Sequence, residues 1–235
     1  MAKKGLLVLV LAATFTAGSA FAQVQLSAGG GFIFDAGRTG GGRFTEDVPL
    51  TGIKKGGFVG SNALGFGGFL FLDATYAELN VAFMGGPNNQ VVIMDGERKS
   101  LSDVFPGTPD PDLAFTALSI GLLGKYPIDL GKATIFPLAG IGYDIMLGMT
   151  SDGEEITDSL TGEKVDVTEK LSQLKFSVGV GGDFDINDNL YFRAEALGTY
   201  RLPNKSTTDS AKNADGISAE GGFGGTVKLA VGYRF

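Results

Sequence analysis

Histidine, cysteine and tryptophan are all missing from this chain of 235 residues. Without histidine the commonest general base is gone, and with it the serine–histidine arrangement of hydrolases. With cysteine gone as well, a zinc-type site has almost nothing to build on. No disulfide can brace the fold, so stability has to come from packing and hydrogen-bonded backbone. Basic residues are also scarce, 19 against 26 acidic ones, which makes the chain a poor electrostatic partner for nucleic acid. Proline is low at 8, and the 38 glycines follow no Gly-X-Y period, which excludes collagen. Past the first 22 residues there is no run of 18 apolar residues, so a helical membrane span is excluded too. Any span must be made of strands.

The front of the chain has a different character. Lys3 and Lys4 form a basic start, Gly5 to Phe15 an apolar run, and Ala20-Phe21-Ala22 a small-x-small site before Gln23. This is the pattern of a secretory signal peptide over residues 1–22, too short for a spanning helix. No cysteine follows the expected cleavage point, so a lipoprotein is not expected. Loss of Lys3 and Lys4 moves the formal net charge from −7 to −9. Residues 23–235 have the length of one domain with a single core or a single barrel.

At the other end, Phe223 to Phe235 alternates with a period of two. Phe223, Val227, Leu229, Val231, Tyr233 and Phe235 fall in one row, and Gly224, Thr226, Lys228, Ala230, Gly232 and Arg234 in the other. A strand of a soluble sandwich would alternate in the same way. In a closed barrel, however, such a strand pairs with the first one and turns its apolar row to lipid. The positions Val227, Leu229, Val231, Tyr233 and Phe235 resemble the C-terminal assembly signature of Gram-negative outer-membrane barrels. The resemblance implies recognition by a barrel-assembly machinery and a place in the outer membrane.

The remaining chain supplies seven more segments of this kind: 24–36, about 63–72, 76–85, 113–126, 134–147, 174–186 and 190–202. In the second, Phe66, Leu70 and Leu72 compete with Phe69 and Phe71 for the apolar row, so its inside and outside stay open. Short turns at 73–75, 127–132 and 187–189 alternate with long polar connections at 37–62, 86–112, 148–172 and 203–222. Alternating short and long connections between strands of this length predict an all-β, eight-stranded antiparallel up-and-down transmembrane β-barrel, with both chain ends on the short-turn side. Tyr126, Phe184, Phe192, Tyr233 and Phe235 fall near that side in the apolar row, as an interfacial girdle would. A soluble lipocalin-like barrel is the competing architecture, with the apolar row inside. Over residues 23–235 the architecture resembles the small OmpA-, OmpX- and OmpW-like barrels.

The row opposite the apolar one is the place to look for function. Its expected lumen cluster is Glu78, Lys125, Asp144, Lys175, Asp183, Arg193, Glu195 and Lys228, with Asp185, Arg201 and Arg234 in the same row. An eight-stranded barrel is only wide enough to be filled by side chains, so these charges must pair or meet water. Arg193 and Glu195 should meet Lys228, because their strands are neighbours. Catalysis is not expected, since the acyl- and deacylating enzymes among outer-membrane barrels rely on histidine. The pair Asp183 and Asp185 is what any inward row would give.

No cofactor and no metal are expected. Asp152, Glu154, Glu155 and Asp158 lack calcium-loop spacing and suit a solvated acidic loop. The glycine clusters at 29–31, 65–68, 179–182 and 221–225 open no helix and are not phosphate loops. The long connections are the remaining candidates for binding. Residues 37–62 carry four basic side chains and 148–172 seven acidic ones, so the two could clasp each other or a partner. Two functional readings follow. One is a structural or adhesive surface protein presenting 37–62, 86–112 and 148–172 to an extracellular ligand or host surface. The other is an OmpW-like conduit or narrow pore for small apolar molecules, which would use Phe115, Leu123, Phe136, Leu138 and Leu197 on the inward row.

Overall fold

The computed structural model describes residues 24–47, 54–104, 111–157, 164–213 and 215–235. The expected signal peptide, residues 1–22, lies outside them. Eight long strands make the wall: β1 (Leu26–Phe44), β2 (Phe58–Ala74), β3 (Ala77–Met94), β4 (Leu113–Lys125), β5 (Ala133–Ser151), β6 (Gln173–Asp185), β7 (Leu190–Arg201) and β8 (Gly222–Arg234). Each pairs antiparallel with its neighbours in sequence, and β8 returns to pair with β1, Ser27 against Arg234 and Phe34 against Val227. The ring is therefore closed, and none of its strands is left with a free edge through the spanning region.

The register fixes the shape. Stepping from Leu26 across paired residues leads through Ala74, Ala77, Gly124, Ala139, Val178, Gly198 and Gly225, and arrives back on β1 at Ala36, ten residues further along. With eight strands about 4.8 Å apart and a rise of about 3.3 Å per residue, that offset tilts the strands by about 40°. This lies in the range of membrane barrels.

The alternation decides which side faces lipid. Leu70, Phe32 and Val178 are 70%, 79% and 66% exposed, while inward Lys228 and Arg193 are 3% and 1% exposed. Val227, Leu229, Val231, Tyr233 and Phe235 all point outward and are exposed. A soluble barrel would reverse this, so the lipocalin alternative falls. In β2 the ambiguity resolves in favour of Phe69 and Phe71 as inward residues, with Phe66, Leu70 and Leu72 on the lipid side. The aromatics expected in the girdle, Tyr126, Phe184, Phe192, Tyr233 and Phe235, are all exposed.

Glycine makes room for rings inside this narrow wall. A Cβ on Gly29 would collide with the Phe71 ring, one on Gly181 with Phe136, and one on Gly232 with Tyr191. These three glycines are thus seats for bulky neighbours on adjacent strands.

The long connections need correction. Parts of 37–62 and 86–112 and the first residues of 148–172 are strand, because β1, β2, β3 and β5 continue past the apolar band. Their outward rows turn polar at Arg38, Asn62 and Asn89, yet the pairing goes on to Arg43 against Phe58 and Phe58 against Ile93. On its other side β1 keeps the register of the β8 seam and pairs onward with a short strand, Ile217–Glu220, that precedes β8, while on the β2 side its register shifts between Arg38 and Gly40. Asp73, read as part of a turn, is the inward-facing residue opposite Glu78, because β2 and β3 are joined through Thr75 at φ 53°. The outer connections also hold three short helices among the described residues: α1 (Leu101–Val104), α2 (Val167–Leu171) and α3 (Lys205–Asn213).

Leu229→Arg should lower the unfolding free energy of the bilayer-embedded protein by about 2–4 kcal/mol, and Tyr126→Arg at the interface by about 0–1 kcal/mol. Urea titrations monitored by heat-modifiable migration check the difference. Equal effects at the two sites would contradict the depth assigned to them.

Candidate functional site: a plugged lumen beneath an uncharged vestibule

The inward charges form two networks at different heights. The lower one, toward the short turns, is centred on Arg193. Its guanidinium donates to both Asp183 carboxylate oxygens at 2.6 and 2.7 Å and to Glu78 Oε2 at 2.7 Å, and lies 2.6 Å from Asp73 Oδ2. Lys228 donates to Glu195 at 3.0 Å and reaches Glu78 at 3.4 Å, while Asn80 donates to Glu78 at 3.2 Å. Lys125 completes the group by pairing with Asp73. Aromatic faces line the same cations, with the Arg193 guanidinium carbon 4.6 Å from the Phe71 ring centre and 5.2 Å from that of Phe136.

The upper network is smaller. Lys175 donates to Asp144 at 2.6 Å and to Ser119 at 2.7 Å. Arg201 pairs with Asp35 and lies 3.5 Å from Asp144, and Thr226 donates to Asp35 at 2.5 Å.

The eight residues expected in one lumen cluster therefore fall in two places. Glu78, Lys125, Asp183, Arg193, Glu195 and Lys228 are below, and Asp144 and Lys175 above. Asp35 and Asp73 belong with them and are missing from the sequence-based set. Asp35 has an inward position in the alternation of β1, and Asp73 sits two residues past inward Phe71. Asp185 and Arg234 pair with each other at 2.5 Å at the short-turn mouth, apart from both networks.

Register explains these partnerships. Arg193 lies directly opposite Asp183, Glu195 opposite Lys228, Asp144 opposite Ser119, and Asp35 opposite Thr226. Cross-strand neighbours on one face are the contacts a sheet provides at least cost.

Apolar side chains fill what the charges leave. Leu123, Phe136, Leu138 and Leu197 form one buried cluster, and Phe115 joins Phe69, Phe71, Met84 and Met146 in another. These five expected slot residues thus pack into the lumen filling. Between the two networks a cavity of only about 20 Å³ remains, touched by Lys175 and Lys228, room for about one water. Among the described residues, paired charges and packed apolar side chains occupy the lumen at this level.

Above this filling the lumen opens. A cavity of about 640 Å³ lies at the long-loop end between the upper parts of β1, β2 and β5 and the helices α2 and α3. Asn204 begins α3 by accepting from the Thr207 backbone N–H at 2.9 Å. Lys205 pairs with Glu169 of α2, and that carboxylate holds the Lys205 ammonium above its ordinary value. The side of the vestibule is finished by a substitution in the wall. Pairing of β5 with β6 stops at Asp144 and Gln173, although β5 runs on to Ser151. There the Ser172 hydroxyl accepts from the Met146 N–H at 3.0 Å and Thr168 donates to the Met146 carbonyl at 2.7 Å.

The expected clasp between 37–62 and 148–172 is replaced by other partnerships. Arg43 pairs with Glu220, and Lys54 lies 3.8 Å from Asp95. Glu169 takes Lys205 and Glu155 takes Lys164, while Asp158 lies outside the described residues. Among the described residues no ion pair joins the first connection to the third.

A closed antiparallel ring with a lipid-facing apolar surface defines an outer-membrane β-barrel. The chain belongs to the outer membrane protein beta-barrel domain family, whose model matches residues 6–235. Solved structures similar to it include outer membrane protein OprG of Pseudomonas aeruginosa, 14% identical over 90% of this chain and 96% of that one, with a TM-score of 0.43. Outer membrane protease OmpT of Escherichia coli is 12% identical over 90% and 97%, with a TM-score of 0.44. Ail, the attachment invasion locus protein of Yersinia pestis, solved with the heparin analogue sucrose octasulfate, is 16% identical over 91% and 100%, with a TM-score of 0.34. A sequence comparison with curated proteins returns no match.

Arg193→Met would leave Asp73, Glu78 and Asp183 facing one another without their shared cation. The expected loss is about 3–5 kcal/mol of stability, measured as a lower urea midpoint for the barrel in lipid vesicles.

Proposed function

We propose that the protein is a closed-lumen barrel of the outer membrane with a structural and surface-interacting role, exercised through its outer end and without catalysis. The observation that carries this reading is the filling of the lumen. Two networks of paired charges, packed with Phe69, Phe71, Phe136 and Leu197, leave no wide passage below the vestibule. Ions would have to break buried pairs to cross, at a cost of several kcal/mol for each charge left alone. The absence of histidine supports a non-catalytic role, since it removes the commonest general base, and the lumen carboxylates are engaged mainly with cations. On the same reading the row Val227, Leu229, Val231, Tyr233 and Phe235 serves recognition by the assembly machinery as well as lipid contact.

A second reading, sideways passage of small apolar molecules from the vestibule to the membrane, is favoured by one feature. Where β5 loses β6, the wall consists of α2 and its hydroxyl contacts, beside a cavity of about 360 Å³.

Planar-bilayer recordings of the purified protein should show no stepwise conductance, and outer-membrane vesicles containing it should take up an apolar fluorescent probe no faster than vesicles without it. Steady unitary conductance would overturn the closed lumen. Accelerated uptake with electrical silence would favour the lateral route.

A further inference from the structure

The vestibule differs in chemistry from its surroundings. The other outer cavities are lined by charge: Glu155, Lys164 and Asp166 beside α2, and Arg98 and Lys99 near the Glu97–Lys99 strand. The short-turn mouth is bounded by Lys125, Asp183 and Arg234 among others. In a chain this rich in acidic residues, the 640 Å³ vestibule has no Asp, Glu, Lys or Arg among its described lining residues.

Its lining instead divides in two. Phe44, Val59, Met149 and Ile217 supply apolar surface, while Ser61, Gln90, Thr207 and Ser210 supply hydroxyls and an amide that both donate and accept. Gly42 leaves room on the β1 side, since a Cβ there would press on Ile217 at 2.9 Å. The volume lies within the range of small-molecule sites, about 300–1,000 Å³. The charged groups nearby are turned elsewhere: Arg43 to Glu220, Lys205 to Glu169, and Arg201 to Asp35 below. A charged ligand would lose hydration here with no countercharge to replace it, whereas a neutral one carrying an apolar body and several hydroxyls would find partners for both parts.

We propose that the vestibule beneath α3 is a binding site for an uncharged amphiphile that joins a ring or short aliphatic body to a polyhydroxyl group, as a neutral glycoside does. The inference deepens the surface-interaction reading and rests on it, since a lumen closed below makes the vestibule a pocket with one mouth. Apolar rings would lie against Val59, Met149 and Ile217, and hydroxyls would reach Ser61 and the α3 side chains. Selectivity against acidic analogues follows from the missing cation.

The test uses the refolded barrel in detergent micelles with two probes that differ in one group, 4-nitrophenyl β-glucoside and 4-nitrophenyl β-glucuronide. Ligand-observed NMR titration should give saturable binding of the glucoside and at least tenfold weaker binding of the glucuronide. Ser210→Trp, on the exposed helix, and Ser61→Phe, on the wall, should each weaken the glucoside at least tenfold while heat-modifiable migration stays unchanged. If Ser61→Phe fails to fold, Ser210→Trp alone decides. Equal binding of both probes, no saturable binding of either, or full binding by the folded Ser210→Trp protein would overturn the site. Conductance of the same preparation reports separately on the closed lumen, so loss of one conclusion is distinguishable from loss of the other.

Discussion

Hydrocarbon offers backbone amides and carbonyls no partner, and every polar group of the wall has to be satisfied within the protein. The seam between β1 and β8 meets this demand. Eleven residue pairs from Ser27–Arg234 to Gly37–Gly224 close the ring, and the Phe235 N–H donates to the Leu26 carbonyl at 3.0 Å. Once the ring is closed, alternate side chains have no choice of side. One row is given to lipid, the other to a space too narrow for bulk water. The lumen charges and the glycine seats beneath the inward rings both follow from that partition.

Inside, the same narrowness turns a charged row into a network. Arg193 meets three carboxylates because cross-strand geometry puts Asp183 opposite it and the tilt of the strands brings Asp73 and Glu78 across the axis. Arginine suits this place, since its planar fork serves several acceptors at once and lies flat against Phe71 and Phe136. Buried pairs of this type contribute little net stability compared with an apolar filling, but losing one member is costly. What they supply is a set of cross-strand partners that only one register of the strands satisfies.

Much of the wall was legible in the sequence because period-two alternation is a local signal. Val227, Leu229 and Val231 announce their side whatever their neighbours do, and so do Phe176, Val178 and Val180. The signal fails where both faces are apolar. Phe66 to Leu72 in β2 could not be oriented until the Phe69 and Phe71 rings were placed over small residues of neighbouring strands. It fails again where strands leave the lipid, because an outward row that turns polar at Arg38, Asn62 and Asn89 looks like a loop while its backbone is still paired. The lumen networks were legible as a set of charges and not as partnerships, since partners depend on register between strands. Asp144 and Lys175 share a network with Asp35 and Arg201 for that reason. The vestibule left no sequence signal, as serine, threonine and glycine in polar connections are ordinary there.

The continuation of β1, β2 and β3 beyond the lipid has an effect on how anything outside meets this protein. Residues 40–44, 58–63 and 88–94 are held by ladder bonds, and the Phe44 N–H still donates to the Gly57 carbonyl at 2.8 Å. Ordering a residue of slack chain costs about 1–2 kcal/mol, which an encounter with a flexible loop must overcome at the moment of contact. Here that penalty was met when the barrel folded. A partner approaching this side finds a stiff ribbon of settled shape, and affinity there can be tuned by single side chains without first having to immobilise the backbone.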